Sequence, residues 1–323
     1  MKVWDIFYRN IVRNNFIKSK DRIVLAVSGG IDSMCMLHLF WRLAKKINIY
    51  LVVVNFNHNL RKESVKEAKI VKDFADKLGI DCVLETLNVK EYSKDKSAST
   101  ETAGRNLRYL ALDDIAKKRK CNKVATAHNA NDNAETVFMW LLRGSGSFSG
   151  IPQTREISNN LTIIRPLLPV KRKLIEEYVK EHKLPFCIDK SNFSDVYTRN
   201  KIRLSLMPVC EKINPMTVEH IFALSCIQAR EDAYLEEISN KLLKKCVNIQ
   251  KNQILLDLTM FLRYNEAIRF RILKNILPQK KYNSHINLIM HKILSSDISE
   301  YALSADWIFK IRLNKAYLTR NAK

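Results

Sequence analysis

Glycine and proline are scarce in this chain, with seven of each in 323 residues. That excludes collagen-like and low-complexity architectures, which are built from those residues. No apolar run approaches the roughly 20 residues that a membrane-spanning helix needs. The seven cysteines are scattered and odd in number, and no C-x-x-C occurs. Neither a zinc ribbon nor a disulfide framework is indicated, and a reducing cytoplasm is the expected compartment. The first twenty residues place Trp4, Phe7, Ile11, Val12 and Phe16 at helical spacing, but Asp5 and several Arg and Asn residues interrupt them. They form no continuous apolar signal segment and predict an amphipathic helix docked on the domain behind it. Acidic residues are also in deficit, with 33 Asp and Glu against 55 Lys and Arg, a formal charge of +22. Such a surplus favours a polyanionic partner, with nucleic acid or an anionic membrane surface as the two usual candidates.

Hydrophobic residues make up 46% of the chain, enough for a sizeable core. The length suits two domains. The first half alternates short β-branched runs with helical patterns. Strands are expected at Arg22–Val27, Ile49–Asn55, Asp81–Leu87 and Lys123–Ala127, and helices at Ser33–Lys46, Ser64–Leu78, Thr100–Lys118 and Ala130–Leu142. Strands separated by helices of this length imply right-handed βαβ units. The fold class is therefore α/β, a doubly wound parallel sheet with ligands beyond the C-terminal strand ends. A short strand at Leu161–Arg165 and a helix at Lys171–His182 follow. Beyond about 210 the pattern turns helical, with one long run at Met216–Lys245, helices at Glu266–Leu277 and His285–Leu294, and β-like pieces at Gln253–Leu258 and Trp307–Leu318. The expected division is a catalytic domain, 1–210, and a mainly helical domain, 211–323.

The strongest motif is Ser28-Gly29-Gly30-Ile31-Asp32-Ser33, between the first strand and the first sheet-covering helix. Two glycines there let backbone N–H groups form a concave nest, and the helix N-terminus adds positive potential. The combination suits phosphate. Asp32 fits an anion site only if a divalent cation bridges it to the phosphates, and the motif is not a Walker A loop. A plain βα turn with a Ser cap is the bland alternative. Asp132 and Glu135, three apart on one helix, share a face just beyond His128. A lone D-x-x-E is more often solvated than functional.

The S-G-G-x-D-S loop resembles the pyrophosphate loop of the ATP-pyrophosphatase superfamily. Further blocks are similar, in order and spacing, to the tRNA(Ile)-lysidine synthase family: Asn57-His58 with Leu60-Arg61, Glu101 with Arg105 and Arg108-Tyr109, Thr126-Ala-His128 with Asp132 and Glu135-Thr136, Arg143-Gly144, Arg165-Pro166-Leu167, and Asp189-Lys-Ser191-Asn192 with Arg199-Asn200 and Arg203. The blocks run from about residue 22 to 208. Asn55, Asn129 and Asn131 stand where the family usually has His, His and Asp, and receive no functional role here.

The resemblance implies a PP-loop, adenine nucleotide alpha hydrolase-like fold with a tRNA-contacting C-terminal domain. It implies ATP-dependent ligation of L-lysine to C2 of the wobble cytidine of tRNA(Ile) with a CAU anticodon. The cytosine oxygen attacks the α-phosphate, and the lysine amine then displaces AMP, so the product lysidine reads AUA instead of AUG. ATP and Mg2+ are the implied cofactors, and a homodimer is compatible with it. The implied catalytic set is Asp32, Asp132 and Glu135, with Ser28, Gly29, Gly30, Ile31, Asp32 and Ser33 on ATP and Asp32 on Mg2+. Arg105, Arg108, His128 and Arg203 are assigned to lysine or phosphate, and His58, Arg61, Arg143 and Arg199 to tRNA. A tRNA thiolase or amidating synthetase of the same superfamily is the alternative, and a non-catalytic RNA-binding protein leaves the phosphate loop unexplained.

Overall fold

A computed structural model describes residues 2–57, 64–87, 100–144, 147–158, 160–187, 198–250, 253–277, 283–295, 300–304 and 307–320. Clustering of contacts divides the chain into two compact units, Met1–Met139 with Gly150–Ser225, and Trp140–Ser149 with Cys226–Lys323. The second division falls inside one long helix rather than near 210.

The first unit is built on a six-stranded sheet. Its strands are β1 (Arg22–Ala26), β2 (Tyr50–Asn57), β3 (Asp81–Thr86), β4 (Lys123–Ala125), β5 (Thr154–Ser158) and β6 (Leu161–Ile164), in the order β3-β2-β1-β4-β6-β5. All neighbours pair in parallel except β5, which runs antiparallel on β6. The sequence predicts no strand at β5, and its exposed alternation explains why: Thr154, Arg155 and Glu156 face solvent on a sheet edge. The other strands are apolar runs because both faces are covered. In β1, Ile23 and Leu25 point into one core and Val24 into the other.

On the first face lie α1 (Val3–Arg13), α2 (Ile31–Ala44), α3 (Ser64–Lys77) and, after α4 (Thr100–Lys118) on the opposite face and α5 (Ala130–Leu142), the helix α6 (Arg172–Glu181). The amphipathic N-terminal helix is docked as its spacing predicts, with Val3, Phe7 and Ile11 buried. Phe7 meets Phe40 edge-on at 5.4 Å between centroids, a geometry worth about 0.5–1.5 kcal/mol beyond burial. α4 contributes Leu112, Ile115 and Ala116 against Val24, Val52 and Val124.

Strand order reverses between β1 and β4, so the loops after those two strands flank the crevice where doubly wound sheets bind ligands. A short helix α7 (Thr198–Lys201) passes through a π-helical turn, Ile202–Leu206, into α8 (Met207–Ile213). Ile202 and Met207 pack with Ala130, Ala134 and Val218, which holds this segment against the start of α5. The helix α9 (Thr217–Cys246) begins here, and its Ser225 hydroxyl accepts a 2.9 Å bond from Asn133.

The second unit contains helices α10 (Leu258–Phe261), α11 (Glu266–Ile276) and α12 (Asn283–Leu294). It also contains a five-stranded antiparallel sheet, which extends the mainly helical expectation. Its strands are β7 (Val247–Gln250), β8 (Gln253–Asp257), β9 (Glu300–Ser304), β10 (Trp307–Arg312) and β11 (Lys315–Arg320), in the order β7-β8-β11-β10-β9. Phe309 opposite Leu318 joins Phe261, Ile272 and Ile289 in a separate core. Among the described residues, no helix is long and apolar enough to cross a membrane.

Candidate functional site

The loop after β1 turns at Gly29, whose φ of +89° is a region that L side chains rarely adopt. A β-carbon there would also stand 3.3 Å from the Val71 side chain. Gly30 caps α2. Its carbonyl accepts from the Ser33 hydroxyl at 2.8 Å, Ser28 and Ser33 hydroxyls lie 3.2 Å apart, and the Cys187 N–H donates to the Gly29 carbonyl at 2.9 Å. The turn is thus fixed from both sides while the first N–H groups of α2 have no partner within the helix. The glycine turn runs straight into the α2 N-terminus, the strand–turn–helix setting that the motif's phosphate reading expects.

The cradle opens into a cavity of about 1290 Å³ lined by Ser28, Gly30, Asp32, Asp132 and Arg172 among others. Asp32, in the first turn of α2, projects beside the cradle. Its Oδ1 accepts from Asn129 Nδ2 at 2.9 Å, and its Oδ2 meets Arg172 Nη1 at 2.8 Å. Burial pushes its carboxyl up to about 6, with the Arg172 charge opposing and nearby Asp132 adding to the rise.

Across the crevice, Asn129 and Asp132 close the start of α5 reciprocally. Asp132 N–H donates to Asn129 Oδ1 and Asn129 N–H to Asp132 Oδ2, each at 3.0 Å. This is a capping box with Asn as the cap. Glu135, one turn on, is only 2% exposed, and both its oxygens are taken. Arg199 Nε lies 2.9 Å from Oε2, while Arg203 places Nε 2.6 Å from Oε1 and Nη2 3.1 Å from Oε2. Arg203 also reaches Asp132 Oδ1 at 3.3 Å. Both carboxylates line the cavity, but they differ in burial: Asp132 stays partly exposed, and Glu135 is the buried anchor of two arginines.

His128, at the end of β4, hydrogen-bonds Thr126 Oγ1 through Nδ1 at 3.1 Å. Burial, reinforced by Arg165, Arg199, Arg105 and Arg108, pushes its imidazole down to about 3. It is neutral at physiological pH and surrounded by cations. Arg165 is 2% exposed and donates to the Pro152 carbonyl at 2.6 Å, and its Nε has no partner among the described residues. Arg108 lines the cavity, while Arg105 lies over the Tyr109 ring at 5.5 Å.

Arg143 is an exposed residue of the second unit. His58, Arg61 and the block Asp189–Asn192 lie outside the described residues. Three positions were given no role from sequence and have one here. Asn55, 3% exposed, ties its side chain to the Val27 carbonyl at 2.8 Å. Asn129 holds Asp32, and Asn131 Oδ1 accepts the Arg172 N–H at 3.0 Å. They differ from the usual family residues but still organise the crevice by hydrogen bonding, which substitution by type alone does not reveal. Arg172 was also missed. Its one sequence signal is that Lys171-Arg172-Lys173 opens a helix, where cations oppose the macrodipole.

A glycine turn feeding a helix N-terminus at the switch point of a parallel sheet defines a phosphate-binding α/β domain of the nucleotide type. Residues 5–210 match the PP-loop domain family, and the chain belongs to it. Among curated proteins, it is 44% identical over 210 residues to the tRNA(Ile)-lysidine synthase of Thermosipho africanus, covering 65% of this chain and 48% of that one. It is 37% identical over 276 residues to that of Clostridioides difficile, covering 84% of this chain and 59% of that one. The chain thus spans about half to three-fifths of the length of these relatives. Among solved structures, the U34-tRNA thiolase NcsA from Methanococcus maripaludis superposes with a TM-score of 0.59 at 19% identity, over 69% of this chain and 77% of that one, a likeness of fold.

Proposed function

We propose that this chain carries tRNA(Ile)-lysidine synthase activity: ATP-dependent attachment of L-lysine to C2 of the wobble cytidine in tRNA(Ile) with a CAU anticodon, in the cytoplasm. The similarity to proteins of that name, over 210 and 276 residues of this chain, is the observation that carries it. It also separates this reading from thiolation or amidation, which would use the same phosphate cradle.

The two displacements need no protein nucleophile. They need phosphate charge neutralised and a lysine held as the free amine at the activated carbon. Ser28, the backbone from Gly29 to Ser33 and the α2 N-terminus receive the pyrophosphate part of ATP. Among the described residues no group of three His, Cys, Asp or Glu could hold a metal alone. Asp32, with Asp132 across the crevice, suits Mg2+, which commonly binds one or two carboxylates and completes its shell with phosphates and water. Bound there, Mg2+ would supply neutralisation of the phosphates.

Asp132 faces the cavity and serves the lysine ammonium or the metal. Glu135 acts by fixing Arg199 and Arg203, which face the tRNA and phosphate side. Arg105 and Arg108 suit a lysine carboxylate or a phosphate, and His128, held in its neutral form by burial among arginines, can serve there as a hydrogen-bond partner without adding charge. His58, Arg61 and Arg143, with the Lys-rich C-terminal unit, belong to the tRNA path, and a homodimer is part of the proposal.

Incubating the chain with tRNA(Ile), labelled lysine and ATP tests this directly. Label should enter the tRNA with release of AMP and pyrophosphate, and only with the CAU anticodon. Transfer of sulfur or ammonia instead, or no nucleotide turnover, would reject the reading.

A further inference from the structure

We infer that Arg172 is a phosphate-binding residue of the nucleotide site, held on Asp32 and available to the pyrophosphate half of ATP. The inference rests on the ATP reading above and adds a residue outside the glycine loop. Four observations converge on it. Arg172 opens α6, and its N–H is fixed by Asn131, so its position relative to the start of α5 is set by the backbone. Its side chain lines the same cavity as Ser28, Gly30 and Asp32. Nη1 sits 2.8 Å from Asp32 Oδ2, while Nε sits 2.9 Å from Glu176 Oε1, which orients the guanidinium plane from its own helix. Finally, a cation in the first turn of a helix opposes the macrodipole, so helix stability does not account for it.

The neighbouring lysine supplies a contrast. Lys171 is turned to Glu219 at 2.9 Å and to the Pro215 carbonyl at 2.9 Å, and serves to hold α9. Arg172, unlike Lys171, meets the carboxylate of the phosphate loop. Its side chain is 39% exposed, and Asp32's is 22%. An ion pair this open to solvent is weak. Phosphate offers a guanidinium more charge and two parallel acceptor oxygens. A pyrophosphate in the cradle therefore competes well for Arg172, and Asp32 loses a partner as Arg172 gains one. The rival explanation is a purely structural tie between α2 and α6.

Equilibrium binding of ATP, AMP and inorganic pyrophosphate to the full chain separates the two, using R172Q and R172K with melting temperatures as a control. R172Q should bind ATP and pyrophosphate about tenfold to a hundredfold more weakly and leave AMP affinity unchanged. R172K, a point charge without the planar fork, should fall between. Wild-type ATP affinity in R172Q, or equal loss for ATP and AMP, would overturn the assignment alone. A wild-type chain that binds no ATP would overturn the ATP reading together with it.

Discussion

Arg203 grips Glu135 through two nitrogens, Nε at 2.6 Å from one carboxylate oxygen and Nη2 at 3.1 Å from the other. The partners are 68 residues apart, one on α5 and the other on a π-helical turn. A planar fork of this kind fixes orientation as well as distance. With Arg199 on the same carboxylate, it sets two guanidiniums beside Asp132 at the mouth of the crevice.

Removing that anchor should cost both stability and chemistry. Glu135→Ala is expected to lower unfolding free energy by about 1–3 kcal/mol, since charge-assisted bonds are lost while the arginines keep some solvent. Glu135→Gln should cost less stability, yet still reduce lysine incorporation more than tRNA binding. Urea unfolding and single-turnover lysylation measure the two. An unchanged stability for Glu135→Ala would show that the fork is not formed in solution.

Gly29→Ala imposes a β-carbon on a residue at φ +89°, 3.3 Å from Val71. The strain should cost about 1–2 kcal/mol and distort the cradle, so ATP affinity should fall as well. Normal ATP binding in a folded Gly29→Ala protein would contradict the cradle geometry.

Asn129→Ala removes the cap of α5 and the amide donor to Asp32 together. Loss of an N-cap is worth about 1 kcal/mol, and the loss of the amide partner to the half-buried Asp32 carboxylate adds to that. Thermal unfolding should therefore register a clear destabilisation, larger than for alanine at the exposed Lys183. Equal shifts for the two variants would remove Asn129 from the site.

His38 provides a pH prediction. Its Nδ1 lies 2.9 Å from the Tyr178 hydroxyl, which accepts from Arg42. Burial first, then His182, Arg42 and Lys45, push the imidazole down to about 4. A histidine depressed on folding contributes stability above the unfolded pKa of about 6.5 and loses it as pH falls through 4. Between pH 7 and pH 4, wild type should lose about 2–3 kcal/mol more than His38→Gln. An NMR titration midpoint for His38 near 6.5 would refute this.

Positive charge at the end of α9 should serve tRNA affinity rather than chemistry. Lys244 and Lys245 are exposed in its last turn. Replacing both by Glu should weaken tRNA binding and flatten its salt dependence by up to about two units of slope, with ATP affinity unaltered. Unaltered tRNA binding across salt concentrations would move the recognition surface elsewhere.

The alternation of strands and helices in the first unit, the glycine turn after β1 and the net positive charge were determined by the sequence itself. Apolar runs, turn residues and net charge are local or summed properties, legible without knowing what meets what in space. The edge strand β5 escaped because one covered neighbour and an exposed face leave no apolar pattern. The distribution of work among charged residues was decided by the tertiary structure. Asp132 and Glu135 look equivalent along the chain and both line the cavity, but folding leaves Asp132 partly exposed and buries Glu135 under Arg199 and Arg203. Asn129 and Arg172 have no legible role until β1, β4, α5 and α6 converge on Asp32. Partners brought together from distant positions carry no local signal, because the energy that selects them exists only once the sheet has closed around the crevice.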